Sequence, residues 1–351
     1  MRTLGMLTAV CLALPLSVAA DTGRLSDMLQ MIPDAAIPAG APRLDIAYGD
    51  GDAVRGVARN GNMAWPADDW AHEYAALRSA SPGQAAALRA GEGEALSLSW
   101  RDWVHTLEVS APPARMGVHF LFPDSEMRLR GALFGHGMEM TPRNGQMVLW
   151  QGEADHAARP DAVDPTNPFG GAEGLSTRFV VEGEWARWAT GWPQIDLMQA
   201  GGFPTLADRP EVAQAVAGLS EAVRRHGRLV SVALSLDLSG QGLADWPEAA
   251  LAGVFLADVV NRREEAALVG VLYPPGTDVD AIVARLRENW PGTMLARWAA
   301  DPDITPIPGP RPGFVLTIGG DWGEDEAASN DALAALLRAR ENGTLGALIA
   351  P

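Results

Sequence analysis

Apolar residues along the chain keep two rhythms, one recurring at every second position and one at every third or fourth. The first marks half-buried strands and the second amphipathic helices. Alternation over residues 44–48, closed by Gly49-Asp50-Gly51, predicts a strand. Residues 116–122, 146–150, 179–189, 229–238, 251–260, 266–273 and 313–318 read as further strands. Helical spacing is clearest over 210–226, where Val212, Val216, Leu219 and Val223 form one stripe. Shorter helices are expected over 24–31, over 70–77 behind Asp68 or Asp69, and from Ser81-Pro82 through Arg89. Others are expected over 125–133, over 278–290 behind a Thr277 cap, and over 330–340 with Asn342-Gly343 as the stop. Residues 100–105 read as a helical turn, and 153–174 and the Trp192-Pro193 segment as loops.

Strands and helices do not alternate one for one, so the pattern is that of an α+β protein and not of a doubly wound nucleotide fold. Two stretches share an order of features. Phe120-Leu121-Phe122-Pro123 and Val271-Leu272-Tyr273-Pro274 are each followed by a loop, a helix and a later strand, starting at Phe179 and Phe314, with Trp185 and Trp322 a few residues on. The chain thus divides into a leader (1–20), an N-terminal half (21–200) and a C-terminal half (201–351), the halves being related by duplication.

The leader has the three parts of a secretory signal. Arg2 supplies a positive start, residues 4–18 an apolar run, and Val18-Ala19-Ala20 small residues at a cleavage position before Asp21. That run is short for a transmembrane helix, and no basic stop-transfer cluster follows. Cleavage removes Arg2 and the single cysteine, Cys11, and leaves a mature chain one unit more negative than the −17 of the whole. An acidic chain is a poor partner for nucleic acid or anionic lipid. Every basic residue besides histidine is arginine, which excludes a phosphate-loop lysine, a Schiff base and a Ser-Lys dyad. With no thiol in the mature chain, cysteine nucleophiles and disulfides are excluded as well.

Candidate chemistry is sparse. The six histidines form no tight pair; His136 with Met138 and Met140 offers soft ligands for copper, against the plainer reading that the methionines fill core. Asp155, Asp161, Asp164, Asn167 and Glu173 could supply oxygen to calcium, although their spacing is not that of an EF-hand and equally suits turns. No G-x-S-x-G elbow occurs. Twelve tryptophans stand against three tyrosines, with Trp65, Trp70, Trp100 and Trp103 in one group and Trp185, Trp188 and Trp192 in another. Core packing is the ordinary role of such residues, and stacking on a ligand the functional one.

Asn167-Pro168-Phe169-Gly170-Gly171, then Arg178-Phe179-Val180 and Trp192-Pro193, with Pro112-Pro113 ahead, resemble a group of uncharacterised exported bacterial proteins. The resemblance implies a shared fold and no chemistry. These features together predict a periplasmic or secreted binding or accessory module with no required cofactor, its site formed by Asp164, Asn167, Phe169, Arg178, Trp188 and Trp192. The partner would be a small ligand or another protein. The rival readings are a carboxylate hydrolase using Asp164 and Glu173 with Glu182 or Glu184, and a structural component of the envelope.

Overall fold

Twelve strands join into one open antiparallel sheet in the computed structural model of this protein, which describes residues 22–53, 78–92, 94–99, 102–261, 264–321 and 330–351. The leader, the helix expected over 70–77, Trp65, Trp70, Trp100, Trp322 and His72 lie outside those residues. The N-terminal strands are β1 (Arg43–Asp50), a separate hairpin β2 (Glu94–Ala95) and β3 (Leu98–Ser99), β4 (Trp103–Ala111), β5 (Ala114–Leu121), β6 (Glu139–Arg143), β7 (Gln146–Gln151), β8 (Thr177–Glu182) and β9 (Trp185–Ala189). The C-terminal strands are β10 (Arg228–Asp237), β11 (Gly253–Val260), β12 (Glu264–Leu272), β13 (Asp303–Pro306) and β14 (Gly313–Asp321). Their order in the sheet is β13-β14-β12-β11-β10-β1-β4-β5-β9-β8-β7-β6. The α+β class read from the sequence is the class observed.

Reading outward from the central β1–β10 pair, the order β1-β4-β5-β9-β8 mirrors β10-β11-β12-β14-β13, and the β6–β7 hairpin extends the first run. By position the counterpart of β14, with Phe314, is β9 and not the strand of Phe179. Both outermost strands are short and carry a proline, Pro142 in β6 and Pro306 in β13. Proline offers no N–H to a further strand and is the residue expected at a sheet edge.

The helices α1 (Gly23–Leu29), α2 (Pro82–Ala90), α3 (Ser125–Gly135), α4 (Trp192–Ala200), α5 (Pro210–His226), α6 (Val279–Asn289), α7 (Asp331–Glu341) and α8 (Thr344–Ile349) cover the two faces unequally. One face carries a continuous core that crosses from half to half. Leu25 and Met28 of α1, Ile195 of α4, and Val212, Leu219 and Val223 of α5 pack there on Ile46, Leu107, Val232, Leu234 and Phe255. The other face carries two separate clusters. Leu88, Trp103, Leu129, Leu133, Phe169, Phe179 and Trp188 gather under α2 and α3. Trp246, Ile282, Leu286, Trp290, Leu316 and Leu336 gather under α6, α7 and α8.

Several expectations need correction. Residues 103–105, expected as part of a helical turn, belong to β4, which starts at Trp103 and sends Leu107, Val109 and Ala111 into the shared core. The strand expected over 179–189 is broken at Gly183, whose φ of 59° makes the turn between β8 and β9. Trp192-Pro193 opens a helix, with the proline where a missing N–H does no harm. Asp278, not Thr277, caps α6 by accepting the Ala281 N–H at 3.0 Å.

Because one core spans both halves, Leu219→Ala should destabilise the protein by about 2–5 kcal/mol and leave urea denaturation a single transition. Two separable transitions would show that the halves fold independently.

Candidate functional site

The strictest alternation in the sheet belongs to its two central strands. On β1, Leu44, Ile46 and Tyr48 enter the shared core, while Arg43, Asp45, Ala47 and Gly49 face the other way. On β10, Val232, Leu234 and Leu236 enter it, and Ser231, Ala233 and Ser235 face the other way. Registered across the neighbouring strands, these outward residues form transverse rows. One row runs Arg115, Ser110, Asp45, Ser235, Val254. The next runs Trp188, Gly117, Glu108, Ala47, Ala233, Leu256. A third runs His119, Thr106, Gly49, Ser231, Asp258. Ala233 is exposed although its strand lies mid-sheet, because the two outer clusters part above it.

That parting leaves a cleft of about 330 Å³ over the first two rows, at the lower end of the range for small-molecule sites. Trp188 and Trp246 wall it from either side, and Pro82 and Gly83 at the start of α2 overhang it. Gly117 makes the first wall possible: a Cβ there would lie 2.4 Å from Trp188 Nε1 and 2.6 Å from the Leu107 carbonyl oxygen. The indole N–H donates to His119 Nε2 at 3.0 Å, and burial holds that imidazole neutral, with its pKa lowered to about 3. Past the third row the face closes. The Ser79 carbonyl rests on Gly49, where any Cβ would sit 1.6 Å from it. Beside it Arg78 forms a two-pronged pair with Asp258 at 2.9 and 2.8 Å.

Charges of both signs line the cleft. At one end Arg43 donates to Asp45 at 2.6 Å, to Asp245 at 2.7 Å and to Ser235 at 3.2 Å. Arg340 of α7 lies 3.5 Å from Asp245 and 5.0 Å over the Trp246 ring. At the other end Arg115 donates to Glu173 at 2.8 Å. Between them Glu108 accepts the Ser81 hydroxyl and the Gly83 amide. Burial pushes its carboxyl from the ordinary 4.5 up to about 7, against the pull of Ser81, Arg115 and Gly83.

Of the residues proposed from sequence Trp188 alone lines the cleft, and the structure divides the rest. Phe169 and Trp188 are core residues, meeting at a ring distance of 5.5 Å, and Phe169 offers no surface to a ligand. Asn167 is buried, and its side chain accepts the Phe169 N–H at 2.9 Å. Asp164 bonds Thr166 and meets His136 Nδ1 at 2.9 Å. Arg178 is fully buried and reaches the carbonyl oxygens of Gly152 at 2.9 Å, Glu153 at 3.3 Å and Thr190 at 3.4 Å. The Trp192 ring meets two guanidinium groups, Arg143 at 4.4 Å and Arg178 at 5.1 Å from its centroid. The Trp192 backbone N–H donates to Asp155, which therefore ties the long loop to the start of α4. Arg178, Trp192 and Asp155 form a latch that ties the start of the loop, residues 152–155, to Thr190 and α4.

The hydrolase carboxylates do not share a partner: Asp164 meets His136, Glu173 meets Arg115, and Glu182 meets Arg187 at 3.0 Å. Among the described residues, no three His, Cys, Asp or Glu side chains gather as a metal group. Met138 is buried and Met140 exposed, so these two do not act together.

No family model and no curated protein matches the chain. Among solved structures, three crystal forms of TP0453 are similar in outline. Form I is 9% identical with a TM-score of 0.36, covering 87% of this chain and 97% of that one. Form IV is 9% identical with a TM-score of 0.39, covering 84% and 94%. Form III is 10% identical, also at 0.39, covering 86% and 97%. Likeness at this level carries no statement about activity.

Sequence reasoning passed over Glu108, Asp45, Ser235 and the three cleft arginines. The available signal was the pairing of two alternating strands whose outward residues are small or polar, which marks a wetted face in the middle of a sheet.

Two predictions follow from these contacts. Arg178→Ala strips donors from buried carbonyls and should cost about 2–3 kcal/mol, with faster proteolysis within 152–174; unchanged cleavage there would show that the loop is ordered by other means. The second concerns pH. A carboxyl raised from 4.5 to about 7 by folding leaves stability whole below pH 4.5 and lowers it as pH rises to 7, since the unfolded chain ionises first. Glu265, also raised to about 7 by burial, works the same way, while His119 works in reverse, weakening the fold as pH drops from 6.5 towards 3. Glu108→Gln should therefore lose part of the decline between pH 4.5 and 7 in urea titrations. An equally steep decline would show that Glu108 is not among the titrating groups.

Proposed function

We propose that this is an exported protein of the bacterial envelope that acts by binding a small ligand in the cleft between its two outer clusters. The observation that carries the reading is the exposure of Ala233 at mid-sheet, within a cleft of about 330 Å³ walled by two tryptophans and lined by charges of both signs. An open sheet face of this kind is what a ligand needs, a concave apolar floor with a few polar groups to fix orientation. Export is supported by the leader sequence and by the resemblance to exported bacterial proteins. Among the described residues no helix is long and apolar enough to cross a membrane. Binding is favoured over hydrolysis because Asp45 and Asp245 are engaged by Arg43, which leaves Glu108 without a second free carboxyl in the cleft to pair with it. A hydrolytic pair needs carboxyls free to act on substrate and water.

A thermal-shift screen of the mature chain against small metabolites tests this. Ligands of the cleft should raise the midpoint of the wild type and not of Ala233→Leu, whose side chain fills the floor. A screen in which every stabilising compound acts equally on both proteins would overturn the cleft as the site. N-terminal sequencing of protein recovered from its host should begin at Asp21; a chain starting at Met1 would contradict leader cleavage.

A further inference from the structure

The cleft presents its charges in an order that discriminates among ligands. Glu108 stands in the floor row beside Ala47, and its direct donors, the Ser81 hydroxyl and the Gly83 amide, are both neutral. Arg115 stands one row over on β5, opposite Ser110, and is close enough to act on Glu108 through space. Its partner Glu173 is 54% exposed, so that ion pair is screened by solvent and yields to a competitor at little cost. Arg43 and Arg340 close the far end, both turned onto Asp245. A simple amine entering here would meet Glu108 but face three guanidinium groups. A simple anion would meet Arg115 but sit against Glu108 and Asp45. A molecule carrying both signs a few ångströms apart meets a complement at each end.

We propose that the cleft takes a small zwitterion, an amino acid or the free end of a short peptide, with its ammonium on Glu108 and its carboxylate on Arg115 in place of Glu173. This deepens the binding reading and rests on it. The floor of Ala47, Ala233 and Leu256 leaves room for a modest apolar side chain, and the Trp246 and Trp188 walls limit its width. Seating an ammonium on Glu108 also favours the ionised carboxylate, which the empty cleft disfavours by burial, so binding near neutral pH releases a fraction of a proton.

Isothermal titration of the mature chain with alanyl-alanine, its N-acetyl derivative and its C-terminal amide tests the assignment. The free dipeptide should bind, and capping either end should weaken binding by about tenfold or more. Its enthalpy should differ between buffers of unlike ionisation heat, reporting the released proton. Glu108→Gln keeps an acceptor for Ser81 and should erase both the proton release and the penalty for N-acetylation. Arg115→Ala should erase the penalty for amidation. Capped and free peptides binding alike, or proton release surviving in Glu108→Gln, would overturn the ligand class. No binding by any of the three peptides, with a cleft ligand of another kind found in the screen, would overturn the class and leave the binding site standing. Failure of both experiments would overturn both.

Discussion

Everything in this protein is arranged around the pairing of β1 with β10. The two strands meet with Ala47 opposite Ala233, and each sends every second residue into one uninterrupted core. That alternation commits the middle of a twelve-stranded sheet to having one dry face and one wet face. On the dry side α4 lies on β8 and β9, α5 lies on β10, β11, β12 and β14, and α1 packs beside β4 and meets α5 through Thr22 and Ser220, so that one core binds the halves together. On the wet side none of the described helices crosses the seam, and the residues facing that way are small or charged. The two outer clusters accordingly stop short of each other, and the cleft is the space between.

The N-terminal run of strands is held by a different device. Its long loop, rich in Asp, Pro and Gly, buries Phe169 in the outer cluster and is tied at its start by a buried guanidinium. Arg178 gathers backbone carbonyls from Gly152, Glu153 and Thr190 and lies against the ring of Trp192, which also takes Arg143. A buried cation is tolerated because carbonyl oxygens and Asp155, at 3.3 Å, replace its hydration. The segment Asn167-Pro168-Phe169-Gly170-Gly171 is in this way accounted for by loop architecture, with Phe169 buried in the core.

Much of the fold was legible from residue order because its signals are local. The α5 stripe of Val212, Leu219 and Val223 and the alternation of β1 and β10 need no distant partner to be recognised. The helix start at Ser81-Pro82 is equally local, its hydroxyl accepting the Gln84 N–H at 3.2 Å. Elements defined by context escaped. β4 is buried on both faces near its start, so Trp103, Val104 and His105 show no alternation. β6 and β13 are short edge strands with little apolar content. The candidate site was not legible, since Glu108 becomes distinctive only when α2 is laid over it and Arg115 stands beside it. The tryptophans misled in a specific way: Trp188 does reach the cleft, but as a wall pinned to His119, and Trp192 stays with the latch.

The prolines at the two ends of the sheet bear on how the molecule meets others. A sheet this wide would otherwise offer two open ladders to any extended chain, including another copy of itself. With Pro142 and Pro306 in those outermost strands, such templated growth is interrupted at each margin. Pairing along either margin is thereby blunted, and a molecule of this kind can sit at high local concentration with little tendency to grow strand by strand into a polymer.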